Sequence, residues 1–329
     1  MYKRPIMHKI SRIIIGTLLA LLLLGGPAFI GIGLYMHGQL ADISNGCRNR
    51  SNSPASFSDH SGHFDPEKPD LTIYYMEEFE TVTFESRESG INLSAWYIPA
   101  GEGAPAVISV HGLGSCKYSV VNLMQAGMLH NAGYAVLVMD VRDSGDSDYE
   151  DGLSAIGNEE YLDVLGGFDW LQANKGHSAE QIGILGNSLG AATALIAFAQ
   201  EPDLAAAFVD SPFDNLPQII QEELAREGFP QFLYAAGLIA AQIRGDDIAF
   251  NNPHDAIDRA DGRPIFITHG TADGRIGVHH AEQLRQRAEE QNADVTVWIL
   301  DGYDHVKAVG QHTDAYEKEL VSFFDGALK

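Results

Sequence analysis

Cysteine is nearly absent: Cys47 and Cys116 are the only two in 329 residues. That excludes a disulfide-stapled scaffold. Cys47 falls in a polar segment and Cys116 in the part that reads as folded, so the two are expected to stay unpaired. Basic residues are scarce too. Lys and Arg number 21 against 45 Asp and Glu, a net charge of −24. Such a surface repels nucleic acid and anionic lipid heads, so no nucleic-acid partner is expected. No internal repeat is present. Asp59, His60, His63 and Asp65 carry metal-binding side chains, but their surroundings read as a solvated polar linker. Neither a metal nor an organic cofactor is expected.

Charge of either sign is missing from residues 13 to 41. Within that gap Ile13–Met36 is apolar for longer than the roughly 20 residues a helix needs to cross a bilayer core. Lys3, Arg4, Lys9 and Arg12 precede it, which keeps that end in the cytoplasm and places the rest outside. No convincing small-x-small cleavage site follows, so residues 1–36 read as a single-pass signal anchor rather than a cleaved signal peptide. Residues 37–70, rich in Ser, Asn and Gly, read as a flexible linker. Residues 71–329 read as one extracytoplasmic catalytic domain, and oligomeric state stays open.

That domain alternates two patterns. Thr81–Glu85 and Leu93–Ile98 alternate like half-buried antiparallel strands. Continuous apolar runs follow at 106–110, 134–139, 182–185, 205–209, 264–268 and 295–300, the kind that parallel sheets bury on both faces. Helical patterns over 120–132, 159–174, 188–200, 279–291 and 309–328 separate or follow them. The fold class is therefore α/β, a mostly parallel, doubly wound sheet with helices on both faces.

Ligands in such sheets bind beyond the carboxyl ends of the strands. There the sequence places His111-Gly112-Leu113-Gly114, Asp140–Ser147, Gly186-Asn187-Ser188-Leu189-Gly190, His269-Gly270-Thr271-Ala272-Asp273 and the loop that carries His305. Gly186–Gly190 is G-x-S-x-G between a strand and an Ala-rich helix, a sharp turn that lifts the serine hydroxyl out of the sheet.

Over Phe79 to Leu328 these five motifs, in this order, resemble the α/β-hydrolases, and most of all membrane-anchored or secreted serine hydrolases with a small cap. Asn187 departs mildly from the pattern, since relatives often carry His, Tyr or Phe before the serine. The resemblance implies Ser188 as nucleophile, His305 as its base and Asp273 as the partner that orients His305. Backbone N–H groups of Leu113 and Leu189 would form the oxyanion hole. Asp301 and Asp304 lie nearer His305 in sequence but read as turn residues, and Asp140, Arg142, Asp143 and Asp146 as ion pairs knitting their loop. Residues 212–253 occupy the usual place of a cap. Its uncharged Phe229–Ile243 helix is expected to wall an acyl pocket through Phe232 and Leu238, beside Asn187. The implied activity is hydrolysis of acyl esters, of a small-molecule or lipid-like substrate, through an acyl-enzyme. A peptidase or amidase with the same triad, or a non-catalytic binding module, are the alternatives. No β-propeller of the prolyl-oligopeptidase type accompanies the motifs, which counts against a large gated peptidase.

Overall fold

The computed structural model describes residues 25–43, 46–47, 50–88, 90–245, 248 and 251–329. Residues 1–24, with the basic tip and the first half of the expected anchor, lie outside the described residues. Among the described residues no helix is long and apolar enough to cross a membrane. The chain forms two compact units. The smaller combines Met1–Leu40 with Ile220–Asp247, and the larger combines Ala41–Ile219 with Ile248–Lys329.

The larger unit is built on eight strands: β1 (Glu80–Glu85), β2 (Asn92–Ile98), β3 (Ala106–Val110), β4 (Ala135–Met139), β5 (Ile182–Asn187), β6 (Ala206–Asp210), β7 (Ile265–Gly270) and β8 (Val295–Leu300). They lie in the order β1-β2-β4-β3-β5-β6-β7-β8. Strands β1 and β2 run antiparallel, and all pairs from β4 to β8 are parallel. Every residue of β3 to β7 is buried, which explains their unbroken apolar runs. Apolar clusters line both faces of the sheet. One includes Leu195 and Phe198 of helix α4 (Leu189–Gln200); the other includes Leu123 and Leu129 of α2 (Val120–Asn131) and Phe324 of α10 (Thr313–Leu328). The strand order reverses at β3, whose neighbours β4 and β5 lie on opposite sides of it. The loops after β3 and β5 therefore diverge over a crevice at the strand ends, which is where the doubly wound architecture places a ligand.

The expected flexible linker is corrected by the structure. Residues 50–70 are described throughout, and Phe57 and Phe64 are buried in the core beside Tyr74 and Val309. Two aromatic anchors in a polar stretch suffice to hold it down, and composition averaged over thirty residues conceals them. Asn52 supports the same segment: its amide donates to the carbonyls of Ser58 and Tyr118, both at 3.1 Å. Asp59 has a structural part in this segment. Its oxygens accept the N–H groups of His63 at 2.9 Å and Phe64 at 2.7 Å, closing a turn.

The cysteine expectation is corrected as well. Cys47 and Cys116 form a disulfide with a Cα–Cα distance of 5.4 Å. The pairing needs Cys47 to lie on the loop after β3, and there the Cys47 N–H donates to the Gly114 carbonyl at 3.2 Å. Residues 46–47 and 50–64 thus make a strap across the larger unit.

In the smaller unit, helix α1 (residues 25–41) packs on α6 (Tyr234–Arg244). A side chain at Gly33 would collide with the Ala236 carbonyl, so the two backbones approach closely. Arg244 donates to the Leu34 carbonyl at 3.3 Å and pairs with His37 Nδ1 at 3.1 Å.

Candidate active site

Strand β5 ends at Asn187 and α4 begins at Leu189, so Ser188 alone makes the turn. It has φ 57° and ψ −122°, a backbone conformation unfavourable for a residue with a Cβ. The Ser188 N–H donates to the Asp210 carbonyl at 2.8 Å, which holds that turn against β6. Gly190 is required by proximity: a side chain there would strike the carbonyls of Val110 and His111. Gly112 is similar, since a Cβ would come within 3.2 Å of the Ser188 Cβ. The loop after β3 therefore lies directly on the serine.

The structure brings together the three residues singled out from the sequence. Ser188 Oγ is 2.8 Å from His305 Nε2, and His305 Nδ1 is 2.8 Å from Asp273 Oδ2. The Asp273 side chain is fully buried. Burial alone would raise its pKa, but hydrogen bonds with His269 and His305 and from the Ile276 N–H hold it well below the usual carboxylate range. Its other oxygen accepts the N–H groups of Arg275 and Ile276, both at 2.8 Å. Asp301 and Asp304 are turn residues, as expected: Asp301 accepts the Thr271 hydroxyl, and Asp304 accepts the N–H groups of Gly274 and His305.

The two expected oxyanion donors flank this group. Leu189 is the first residue of α4, where backbone N–H groups have no partner within the helix. Leu113 follows Gly112 in the loop packed on Ser188. That loop is braced from three sides. His111 Nδ1 meets the Gly112 carbonyl at 2.9 Å, the disulfide ties Cys116 to the strap, and Lys117 fixes the far end. The Lys117 ammonium is fully buried and pairs at 2.7 Å with both Asp140 and Asp146. Arg142 is likewise buried against Asp163 at 2.9 Å. The acidic loop after β4 therefore holds scaffold cations. Lys117 was not singled out by sequence reading, since among Ser115, Cys116, Tyr118 and Ser119 nothing local marks it as buried.

Beneath the serine lies a buried polar network that the sequence did not reveal. Gln125 and Asn187 exchange two amide hydrogen bonds at 2.8 and 2.9 Å. Gln125 also donates to the Tyr316 hydroxyl, which donates to Asp210 at 3.0 Å. The Ser211 hydroxyl donates to the other Asp210 oxygen at 3.0 Å. Asn187 thus braces the floor as well as lining the pocket.

Burial pushes the Asp210 pKa up to about 6, against partial relief from its bonds to Ser211 and Tyr316. A carboxyl whose pKa is raised on folding contributes its stability below the unfolded value and loses it as pH rises through the folded one. Asp210→Asn should therefore gain stability relative to wild type between pH 4 and pH 7, on the order of 2–3 kcal/mol. Urea unfolding of both proteins at the two pH values tests this. An equal difference at pH 4 and pH 7 would show that Asp210 does not titrate in that window.

A cavity of about 450 Å³ opens beside Ser188 and His305. One wall comes from the β3 loop and the start of α2, and the other from the strap, through Asn52, Ser58, His60, Ser61 and His63. His63 Nε2 lies 3.1 Å from the carbonyl of Val306, next to His305, so the strap touches both the β3 loop and the His305 loop. Phe232 and Leu238, expected in this pocket, belong to the smaller unit, where Phe232 is exposed and Leu238 half-buried.

The sequence profile of the prolyl oligopeptidase family, Peptidase_S9, matches residues 121–329, well over half of the chain. The chain belongs to this family. The hydrolase is 25% identical over 283 residues to protein YfhR of Salmonella typhi, covering 79% of this chain and 87% of that one. Among solved structures, Pyrococcus furiosus esterase Pf2001 matches with a TM-score of 0.63 at 22% identity, over 84% of this hydrolase and 100% of that chain. Pyrococcus horikoshii acylaminoacyl peptidase matches with a TM-score of 0.58 at 20% identity, over 77% of this hydrolase but 42% of that chain. The hydrolase thus has the α/β-hydrolase fold of a serine hydrolase.

Proposed function

We propose that this hydrolase cleaves carboxylic esters with compact, hydrogen-bonding acyl groups, through an acyl-enzyme on Ser188, at the outer side of a membrane. In this reading His305 takes the Ser188 proton as the oxygen attacks the carbonyl, and Asp273 stabilises the resulting imidazolium. The N–H groups of Leu189 and Leu113 receive the oxyanion. His305 then returns the proton to the departing alcohol, and water repeats the sequence to free the acid.

The pocket carries this reading. Its strap wall, built from Asn52, Ser58, His60, Ser61 and His63, is polar where the opposite wall is Leu113, Val120 and Val121, so one side of a bound acyl group would meet amide, hydroxyl and imidazole groups. The polar wall favours an acyl group that carries polar atoms over the lipid-like chain suggested by the sequence. The ester preference has separate support in the likeness to esterase Pf2001 over that chain's full length, against 42% of the acylaminoacyl peptidase. The outer location draws on the basic residues before the apolar run and on the disulfide, a bond that persists in oxidising compartments.

The test compares kcat/KM on p-nitrophenyl acetate, a p-nitrophenyl ester of a long fatty acid, and aminoacyl p-nitroanilides. The acetate should exceed both others by about a hundredfold. Anilide turnover equal to that on acetate would move the assignment to a peptidase. Preference for the long-chain ester would return the pocket to an alkyl-binding role.

A further inference from the structure

The smaller unit holds five of the eight large hydrophobic side chains exposed among the described residues: Ile32, Tyr35, Phe232, Ile239 and Ile243. Ile239 and Ile243 are four apart on α6 and share a face, and Phe232 is exposed in the 3-10 turn (Gln231–Leu233) that leads into that helix. Ile32 and Tyr35 are three apart on α1 and share a face. No Asp, Glu, Lys or Arg occurs in residues 13–41 or 228–243, so neither stripe is interrupted by charge. Water-facing helices of an acidic protein with a net charge of −24 have no reason to be built this way.

We infer that the exposed face of α6 lies in the outer boundary of the lipid bilayer, beside the membrane anchor. The inference rests on the anchor reading, and it adds to it a second membrane contact far along the chain. Depth follows from counting. About 20 apolar residues, the number a bilayer span needs, counted in the sequence from Ile13 end near Ile32 and Gly33. Gly33 is the position whose backbone packs on Ala236, so α6 meets the anchor helix at the level where the bilayer ends. Such close backbone contact through small residues is how helices associate where no water drives them together. Tyr35 then sits where amphipathic aromatics concentrate. Arg244, bound to the Leu34 carbonyl and His37, marks the wet end of α6. A bilayer fits this face better than a second copy of the chain, because the apolar run leads directly into α1 and carries the same uncharged surface onward.

The test uses the full chain reconstituted in phosphatidylcholine vesicles. Phe232→Cys, Ile239→Cys, Ile243→Cys, Leu22→Cys and Tyr149→Cys are each labelled with an environment-sensitive fluorophore; the native cysteines are occupied by their disulfide. Each variant must keep the wild-type melting transition. Labels at 232, 239 and 243 should lose about half of their emission to brominated lipid and resist aqueous iodide, as groups buried at the headgroup boundary do. The label at Tyr149, exposed on the larger unit, should behave in the opposite way. Quenching by lipid at Leu22 with quenching by iodide at 232, 239 and 243 would overturn the inference and leave the anchor intact. Iodide quenching at Leu22 and on α6 alike would overturn the anchor reading itself. Protection of α6 from both quenchers, with energy transfer between differently labelled copies, would assign the face to a dimer instead.

Discussion

Ser188→Ala is expected to lower kcat on an activated ester by roughly a millionfold and to abolish labelling by a fluorophosphonate probe. The reasoning begins with the backbone. Ser188 is held at φ 57° by β5, α4 and the bond from its N–H to the Asp210 carbonyl, and alanine enters that conformation with no added strain. The fold should therefore be unchanged, and the melting transition should show it. The substitution removes only Oγ, the atom 2.8 Å from His305 Nε2. Without it no acyl-enzyme forms, and what remains is the weak catalysis of a binding site and oxyanion donors. Retention of a tenth of the wild-type rate, with probe labelling intact, would place the nucleophile elsewhere and remove the basis of the proposed function.

Asp273→Asn should cost about ten thousandfold in kcat while leaving substrate binding nearly unchanged. Here the geometry decides the outcome. One Asp273 oxygen accepts two N–H groups, from Arg275 and Ile276, at 2.8 Å each. An asparagine at this position must place its carbonyl oxygen there, because an amide nitrogen cannot accept those donors. The NH₂ group then faces His305 Nδ1, and the imidazole must deprotonate that nitrogen to accept from it. His305 Nε2 becomes the protonated one and cannot take the Ser188 proton. Steady-state kinetics should show the loss in kcat with KM within a few-fold. A loss below tenfold would mean that another carboxylate, Asp301 or Asp304, orients the base.

What the sequence made legible, and what it did not, follows from how local each signal is. The buried parallel strands announce themselves because a sheet covered on both faces needs uninterrupted apolar runs. The positions of Ser188, Asp273 and His305 could be read because each follows a strand of the parallel set, whose carboxyl ends all lie at one edge of the sheet. Three features were not local. The strap depends on two phenylalanines scattered through polar residues, and the disulfide depends on where that strap lies. The network of Gln125, Asn187, Tyr316 and Asp210 joins four elements distant in sequence, and its members read singly as ordinary helix or strand residues. The Phe229–Ile243 segment was rightly seen as uncharged, but its exposed stripe appears only once the neighbouring helix is placed.

The strap has a consequence for how such enzymes diverge. Ser188, Asp273 and His305 all lie within residues 121–329, the span that the family shares, whereas the strap residues that face the cavity lie before it. The nucleophile, base and carboxylate are thus written in one part of the chain, and the strap wall of the cavity and the Leu113 loop in another. They meet through the disulfide, a few hydrogen bonds and the packing of Phe57 and Phe64 into the core. On the proposed reading, exchanging the cavity-facing residues of the strap alone would alter which acyl groups are accepted, with Ser188, Asp273 and His305 left as they are.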